Sequence, residues 1–397
     1  MQVHADRQPA GSALPPVLWA LLFGNFVIGT GVMVVPGTLN DLSSSLRVSV
    51  PVAGQLVTAG ALVMCVGAPL LASVVSGWDR RRLLAASMLW YGLMHLCSAA
   101  MPGLTSLLLA RMLTVLSPAV FTPQAAACVG LLVAASQRGK AITRVFLGWS
   151  VASVVGMPLG AWIGGTLGWR SAFGLVGLLG ITGAVWIWRA MPDGIKPPAL
   201  SRAAWRDTLR SPALMLCIGV TAMYSAGQFV LFSYFAPYYK ASFDITPLEL
   251  GLIFGCFGLF GFMGNLWVSN HIDRIGAARA VMISIGCMAL SLAIWPLGTS
   301  LPLAALVTIP WALGCFASNS AQQARLVSLA PALASASIAL NTSAMYAGQA
   351  LGAASGGWLI AHGQMGNLHW AGLCGLMVAM LLSWVATRLA TRPQARR

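Results

Sequence analysis

Apolar residues fall along this chain in long blocks separated by short polar stretches. Each block runs for about 20 residues, enough to cross a hydrocarbon core of about 30 Å as a helix. Twelve such blocks stand near 17–39, 51–76, 83–101, 104–131, 145–167, 171–190, 213–237, 248–269, 279–298, 302–323, 336–360 and 369–389. The pattern predicts an all-α membrane protein with twelve transmembrane helices. An even number of crossings puts both chain ends on one side of the bilayer. If that side is the cytoplasm, it receives nineteen of the 23 basic residues, including Arg80, Arg81, Arg82, Arg274, Arg325 and Arg388, while the opposite side receives only Arg47, Arg170 and Lys240. The excess of Lys and Arg on cytoplasmic loops fixes that orientation. Arg111 is the one basic residue left inside a span.

Inside the fifth block, Gly156 to Gly165 reads Gly-Met-Pro-Leu-Gly-Ala-Trp-Ile-Gly-Gly. Gly156, Gly160 and Gly164 fall on one helix face that a neighbouring helix can approach closely, and Pro158 favours a bend. The pattern returns 192 residues later (348 − 156), with Gly348, Gly352 and Gly356 in Gly-x-x-Leu-Gly-Ala-x-x-Gly-Gly, close to half of the 397-residue chain. A duplication is implied. The expected layout is a cytoplasmic tail at 1–16, a first bundle of six helices at 17–190, a linker at 191–212, a second six-helix bundle at 213–389 and a basic tail at 390–397. In the linker, Arg202, Arg206 and Arg210 recur every four residues, with Leu200, Trp205 and Leu209 towards another face. That spacing predicts a short helix lying on the anionic cytoplasmic lipid surface.

Composition closes alternatives. With 58% hydrophobic and 8% charged residues and a mean hydropathy of +0.81, the chain cannot coat a water-soluble surface. The net charge of +15 is scattered between apolar blocks rather than gathered on one face, which argues for topology and against a nucleic-acid partner. The eight cysteines lie singly in apolar blocks, without Cys-x-x-Cys or paired histidine spacing, and are expected to be small core residues. No metal or cofactor is expected. Residues 1–15 carry no signal-peptide pattern, so the amino terminus is expected to stay cytoplasmic.

Two loops repeat as well. Ser76-Gly-Trp-Asp-Arg-Arg-Arg82 and Asn270-His-Ile-Asp-Arg-Ile-Gly276 place Asp79 and Asp273 194 residues apart (273 − 79). Asp79, Arg80, Asp273 and Arg274 can latch one conformation by pairing with each other or with neighbouring helix ends. The plain alternative is a turn with positive-inside residues.

These motifs resemble those of the major facilitator superfamily over nearly the whole chain. Gly77 to Arg82 is similar to the family's Gly-x-x-x-Asp-Arg-x-Gly-Arg-Arg loop, with arginine in place of the later glycine. Arg111 in Ala110-Arg-Met-Leu-Thr-Val-Leu-Ser-Pro-Ala119 resembles the fourth-helix arginine motif. Gly156 to Gly165 resembles the fifth-helix antiporter motif, which leans towards the drug:proton antiporter branch of bacterial sugar, purine-nucleoside and multidrug exporters. The resemblance implies two six-helix bundles related by a pseudo-two-fold axis, with spans one, four, seven and ten lining a central cavity. One departure bears on mechanism: sugar-efflux relatives often carry a glutamate in the first helix, where this chain has Val32. All eight acidic residues fall in loops or at span ends.

The candidate cavity set is therefore polar but almost uncharged: Asn25, Thr30, Gln55, Arg111 and Gln124 in the first half, and Tyr224, Gln228, Tyr234, Asn319, Gln322, Asn341 and Tyr346 in the second. An ionised guanidinium at Arg111 must face partners or water; it serves either structure, or substrate and coupling. His95, in the middle of the third span, either exchanges a proton near neutral pH or makes an interhelical hydrogen bond. His95, Asp41 and Arg111 are the coupling candidates. The expected protein is not an enzyme. It is a monomeric carrier in a bacterial inner membrane that exports a small drug-like or sugar-like solute in exchange for protons, or, lacking the first-helix carboxylate, an uncoupled facilitator or uptake permease.

Overall fold

A computed structural model describes residues 16–75, 77–133, 138–196 and 202–391. Most of both expected tails lies outside the described residues, as does Leu200 of the expected interfacial helix. The described chain is helical almost throughout. In order it forms α1 (Val17–Gly37), α2 (Leu39–Leu46), α3 (Val50–Val74), α4 (Arg80–Ala100), α5 (Leu104–Thr114), α6 (Leu116–Leu132), α7 (Arg138–Val151), α8 (Met157–Leu167), α9 (Trp169–Ala190) and α10 (Arg202–Arg210). It continues with α11 (Pro212–Phe232), α12 (Phe235–Phe243), α13 (Pro247–Ile275), α14 (Ala277–Ala293), α15 (Leu301–Leu329), α16 (Ala334–Ala361) and α17 (Leu368–Thr391).

Proline sets the breaks. Pro118 and Pro237 have no N–H to give the carbonyl four residues back, and the chain leaves the α-helix just before each, at Val115 and at Ser233–Tyr234. Ahead of Pro158 the helix widens into a π segment at Ala152–Gly156 between α7 and α8, the bend that this proline favours. Helix starts are capped where they leave the apolar layer: Asp79 accepts from the Arg82 N–H at α4, and Thr246 with Glu249 forms a capping box at α13.

Among the described residues, ten helical segments are long and apolar enough to cross a membrane. The other two expected blocks are helical too, but α14 is only 17 residues long, and α16, at 28 residues, carries Asn341, Thr342, Ser343, Gln349 and Ser355, which lower its mean hydropathy.

Glycines bring the helices together. A side chain added at Gly156, Gly160 or Gly164 would run into Thr30 or Val34 of α1 or Thr38 just past its end, whereas one at Gly348, Gly352 or Gly356 would meet Ala222, Ala226 or Val230 of α11. Every contact in the first set maps onto its counterpart in the second at the same spacing of 192 residues (222 − 30, 226 − 34 and 230 − 38). The duplication thus extends from motif to contact. The two halves differ in tightness: α8 meets side chains of α1, while α16 lies on the α11 backbone itself.

The halves touch through α3 against α16 and through the π segment and α8 against α13. At the end of the molecule that carries Arg47 and Asp244 the seal is continuous. Tyr234 sits against Gly54 and Gly357 and donates to the Ala353 carbonyl at 2.8 Å, and one apolar cluster runs from Met33, Ala53 and Met157 into Phe235 and Phe254. At the opposite end the clusters from Val17 to Met191 and of Leu214, Cys217, Leu326 and Ala386 each belong to one half, while a further cluster, Ala61, Met64 and Ala68 with Tyr346 and Ala350, joins the halves along α3 and α16.

We expect Gly352→Ala to lower the stability of the purified protein by about 1–3 kcal/mol, as overpacking against backbone does, because the added carbon lies within 3.0 Å of Val230 N and Phe229 C. Gly160→Ala should be close to neutral, since it meets only the Val34 side chain at 3.2 Å. Thermal unfolding of the two variants side by side checks the difference.

Candidate functional site

Where α1, α3, the α5–α6 junction and α16 converge, the halves leave a partly open cavity of about 30 Å³, room for roughly two waters at about 10–15 Å³ each. Its wall is apolar, formed mainly by Val32, Val35, Leu56, Val57, Met64 and Val115, and carries three polar side chains, Arg111, Tyr346 and Gln349.

Arg111 is 4% exposed. Its Nη1 donates to His95 Nε2 at 3.2 Å, and its Nη2 reaches the Gly31 carbonyl at only 3.4 Å. Its Nε has no hydrogen-bond partner. The Phe173 ring lies 5.5 Å beneath the guanidinium carbon. His95 Nδ1 stands 3.0 Å from the Tyr91 carbonyl, which can only accept, so Nδ1 carries the proton and Nε2 keeps the lone pair that Arg111 uses. Tyr91 in turn donates to the Ile28 carbonyl at 3.1 Å. Gly31 is required at this point because a side chain there would collide with the Tyr91 hydroxyl and, at 2.8 Å, with His95 Nε2. Tyr91 and His95 stand one helical turn apart on α4, a pairing readable from spacing; the role of Gly31 left no such trace.

The other predicted cavity residues divide sharply. Asn25 bridges helices, donating to the Val145 carbonyl at 3.2 Å and accepting from Thr122 at 3.0 Å. Thr30 bonds back to the Phe26 carbonyl and backs Gly156. Asn341 accepts from Thr221 at 2.5 Å, Gln322 donates to the Cys217 carbonyl, and Tyr224 is buried beside Thr221 and Ser318. Gln124 and Gln228 are buried, Asn319 is partly exposed, and Gln55 is exposed outright. Of the twelve expected lining residues, Arg111 and Tyr346 reach this cavity. Gln55 stays out of this cavity because its neighbours in the turn, Leu56 and Val57, take the face of α3 that lines it.

Asp41 lies away from this network. On α2 it accepts from the Trp169 backbone N–H and so caps α9. The loop motif also takes a different form from an aspartate–arginine pair. Asp79 accepts from Arg82 N–H at 3.1 Å and from Gly194 N–H at 2.7 Å, tying the start of α4 to the chain just past α9. The ion pair of this region is Arg81 with Asp193 at 3.3 Å, while Arg80 is buried, donating to the carbonyls of Val75 and Trp78. Asp273 and Arg274 are exposed at the end of α13. Arg325, expected with the cytoplasmic charges, is buried instead, held by Ser383 and Thr387 of α17.

A model of the Major Facilitator Superfamily matches residues 21–353 and 220–397. The chain belongs to the major facilitator superfamily. It is a multi-pass membrane protein and a transporter of small solutes. It is similar to a chloramphenicol resistance protein of Streptomyces lividans, 29% identical over 93% of this chain and 95% of that one. It is also similar to a purine ribonucleoside efflux pump of Salmonella paratyphi B, 29% identical over 69% of each. The crystal structure of a D-xylose–proton symporter shares the fold, with a TM-score of 0.76 at 16% identity, covering 93% of this chain and 96% of that one.

Partial burial pushes the Asp79 carboxyl up, but the N–H groups of Arg82 and Gly194 and the nearby Arg82 charge outweigh it and hold the group below the usual carboxylate range. With the folded value depressed, its stabilisation is present at neutral pH and lost as pH falls through that value. Asp79→Ala should lower stability by about 1 kcal/mol, the usual worth of an N-cap, and the loss should shrink on acidification, as read by thermal unfolding at neutral and acidic pH.

Proposed function

We propose that this protein exports a small organic solute by alternating access, as a monomer of twelve spans in a bacterial inner membrane with both termini cytoplasmic. Spans one to six (17–190) and seven to twelve (213–389) act as two six-helix bundles joined by the linker at 191–212. The observation that carries the reading is the distribution of contacts. The halves are sealed at one end through Tyr234 and stay joined along α3 and α16, beside the Arg111 cavity, while two large apolar clusters towards the other end each belong to one half. With the positive-inside orientation, that other end faces the cytoplasm, so this is a state loading from inside. The likeness to a purine ribonucleoside efflux pump and to a chloramphenicol resistance protein supports the outward direction.

Exchange for protons is the coupling we propose, on the fifth-helix motif. Asp41 is spoken for by the Trp169 N–H, and His95, in contact with Arg111 at the cavity, is the group to which we assign the proton. Protonation at Nε2 removes the acceptor that Arg111 uses and so couples the guanidinium, and the cavity that it lines, to the proton. A second reading, facilitation without protons, is favoured by Val32, which lines the cavity where the resemblance expects a carboxylate. Efflux of a compound panel from inverted vesicles identifies the solute. In proteoliposomes a pH gradient should then accumulate an uncharged solute, and His95→Ala should abolish accumulation while leaving counterflow intact. Counterflow without gradient-driven accumulation in the unaltered protein would establish facilitation.

A further inference from the structure

The cavity holds a cation without a counter-ion. Arg81 pairs with Asp193 beside the start of α4 and Arg206 with Asp207 within α10, and Arg111 belongs to neither pair. A guanidinium carries five N–H donors in a planar fork, and its Nε and Nη2 edge matches a carboxylate side-on. In Arg111 the Nη1 corner is spent on His95, whereas the Nε–H is orphaned and Nη2 makes one long contact with the Gly31 carbonyl. The edge suited to a carboxylate is thus the unfilled one, on a side chain that lines a cavity walled by valine, leucine and methionine. Burying a charge without a partner is costly, and an anion entering this site removes that cost.

We infer that the solute is an organic monoanion, a carboxylate on an apolar body, with the carboxylate alone in the cavity on the Nε and Nη2 edge of Arg111 and the body extending from the cavity's open side. The inference rests on the reading of the protein as a solute exporter. It fits the facilitated form of that reading, because an interior-negative membrane potential drives a monoanion outward with no proton carrier. The lack of a carboxylate at Val32 then follows from the same chemistry: a glutamate there would fill the seat from within.

Purified protein in detergent tests this, with benzoate, its neutral isostere benzamide, and chloride as probes and tryptophan quenching as the readout. Benzoate should bind at least tenfold more tightly than benzamide, with the preference lost in Arg111→Gln. Because Arg111→Gln also breaks the bond to His95, Val32→Glu provides the second arm: it should raise the unfolding temperature and abolish benzoate binding, as an internal counter-ion would. Equal binding of benzoate and benzamide, no binding of either, or a Val32→Glu variant that is destabilised and still prefers benzoate overturns the inference. Displacement of benzoate by chloride at matching concentrations would make the site one for inorganic anions and overturn the organic class. Failure of the exporter reading looks different: benzoate preference persists, but no member of the panel shows counterflow.

Discussion

Close approach of helix backbones is the constraint on which this structure rests. In a bilayer the lipid tails are as apolar as any leucine, so helices gain little by hiding side chains from solvent and associate through shape. Here the shape is supplied by glycine. Gly156, Gly160 and Gly164 let α8 lie along α1, and Gly348, Gly352 and Gly356 let α16 lie on α11. The same device on α4 and α9, through Gly92, Gly177 and Gly180, and on α11 and α17, through Gly227, Gly372 and Gly375, completes each half. At every one of these but Gly160 an added methyl group would come within 3.0 Å of a neighbouring helix or its cap.

Tight halves leave the polar residues with two fates. Where helices touch, amides and hydroxyls become interhelical bonds, as in Asn25 to Val145, Ser225 to Met345 and Tyr239 to Thr308. Where the halves meet more loosely, the wall is almost wholly apolar and one guanidinium stands on it. That contrast gives Arg111 its weight. A single charge in a small apolar cavity acts over a short distance with little screening, so any group that pairs with it, a neutral imidazole, a proton on that imidazole or an arriving anion, changes the local energetics by more than the rest of the wall together.

The second face of the same economy is at the loops. Asp79, Arg81 and Asp193 tie the start of α4 to the chain beyond α9 within one half, and the Thr246–Glu249 box fixes the start of α13. These charges hold each half as a body, while the contact between bodies rests on Tyr234, the α3–α16 seam and the α8–α13 seam. The proposed rocking would turn on these two seams.

Much of this was legible along the chain. Block length in hydrocarbon dictates helices, because only a helix satisfies its own backbone there. The glycine spacing named α8 and α16 as close-packed, and the repeat of 192 residues held down to individual contacts, since duplicated backbones that must touch keep the same small residues. The importance of Arg111 followed from the cost of a charge inside a span. Tertiary structure decided what lies beside what. It made Asn25, Thr30, Tyr234, Gln322 and Asn341 into packing bonds, kept Gln55 out of the cavity, buried Arg325 against Ser383, and gave Asp41 to the start of α9. None of that can be read from hydropathy, because a polar residue in an apolar run shows only that it needs a partner. Which helix supplies the partner depends on the rotation of each helix about its axis, and that is set by glycines on a different helix.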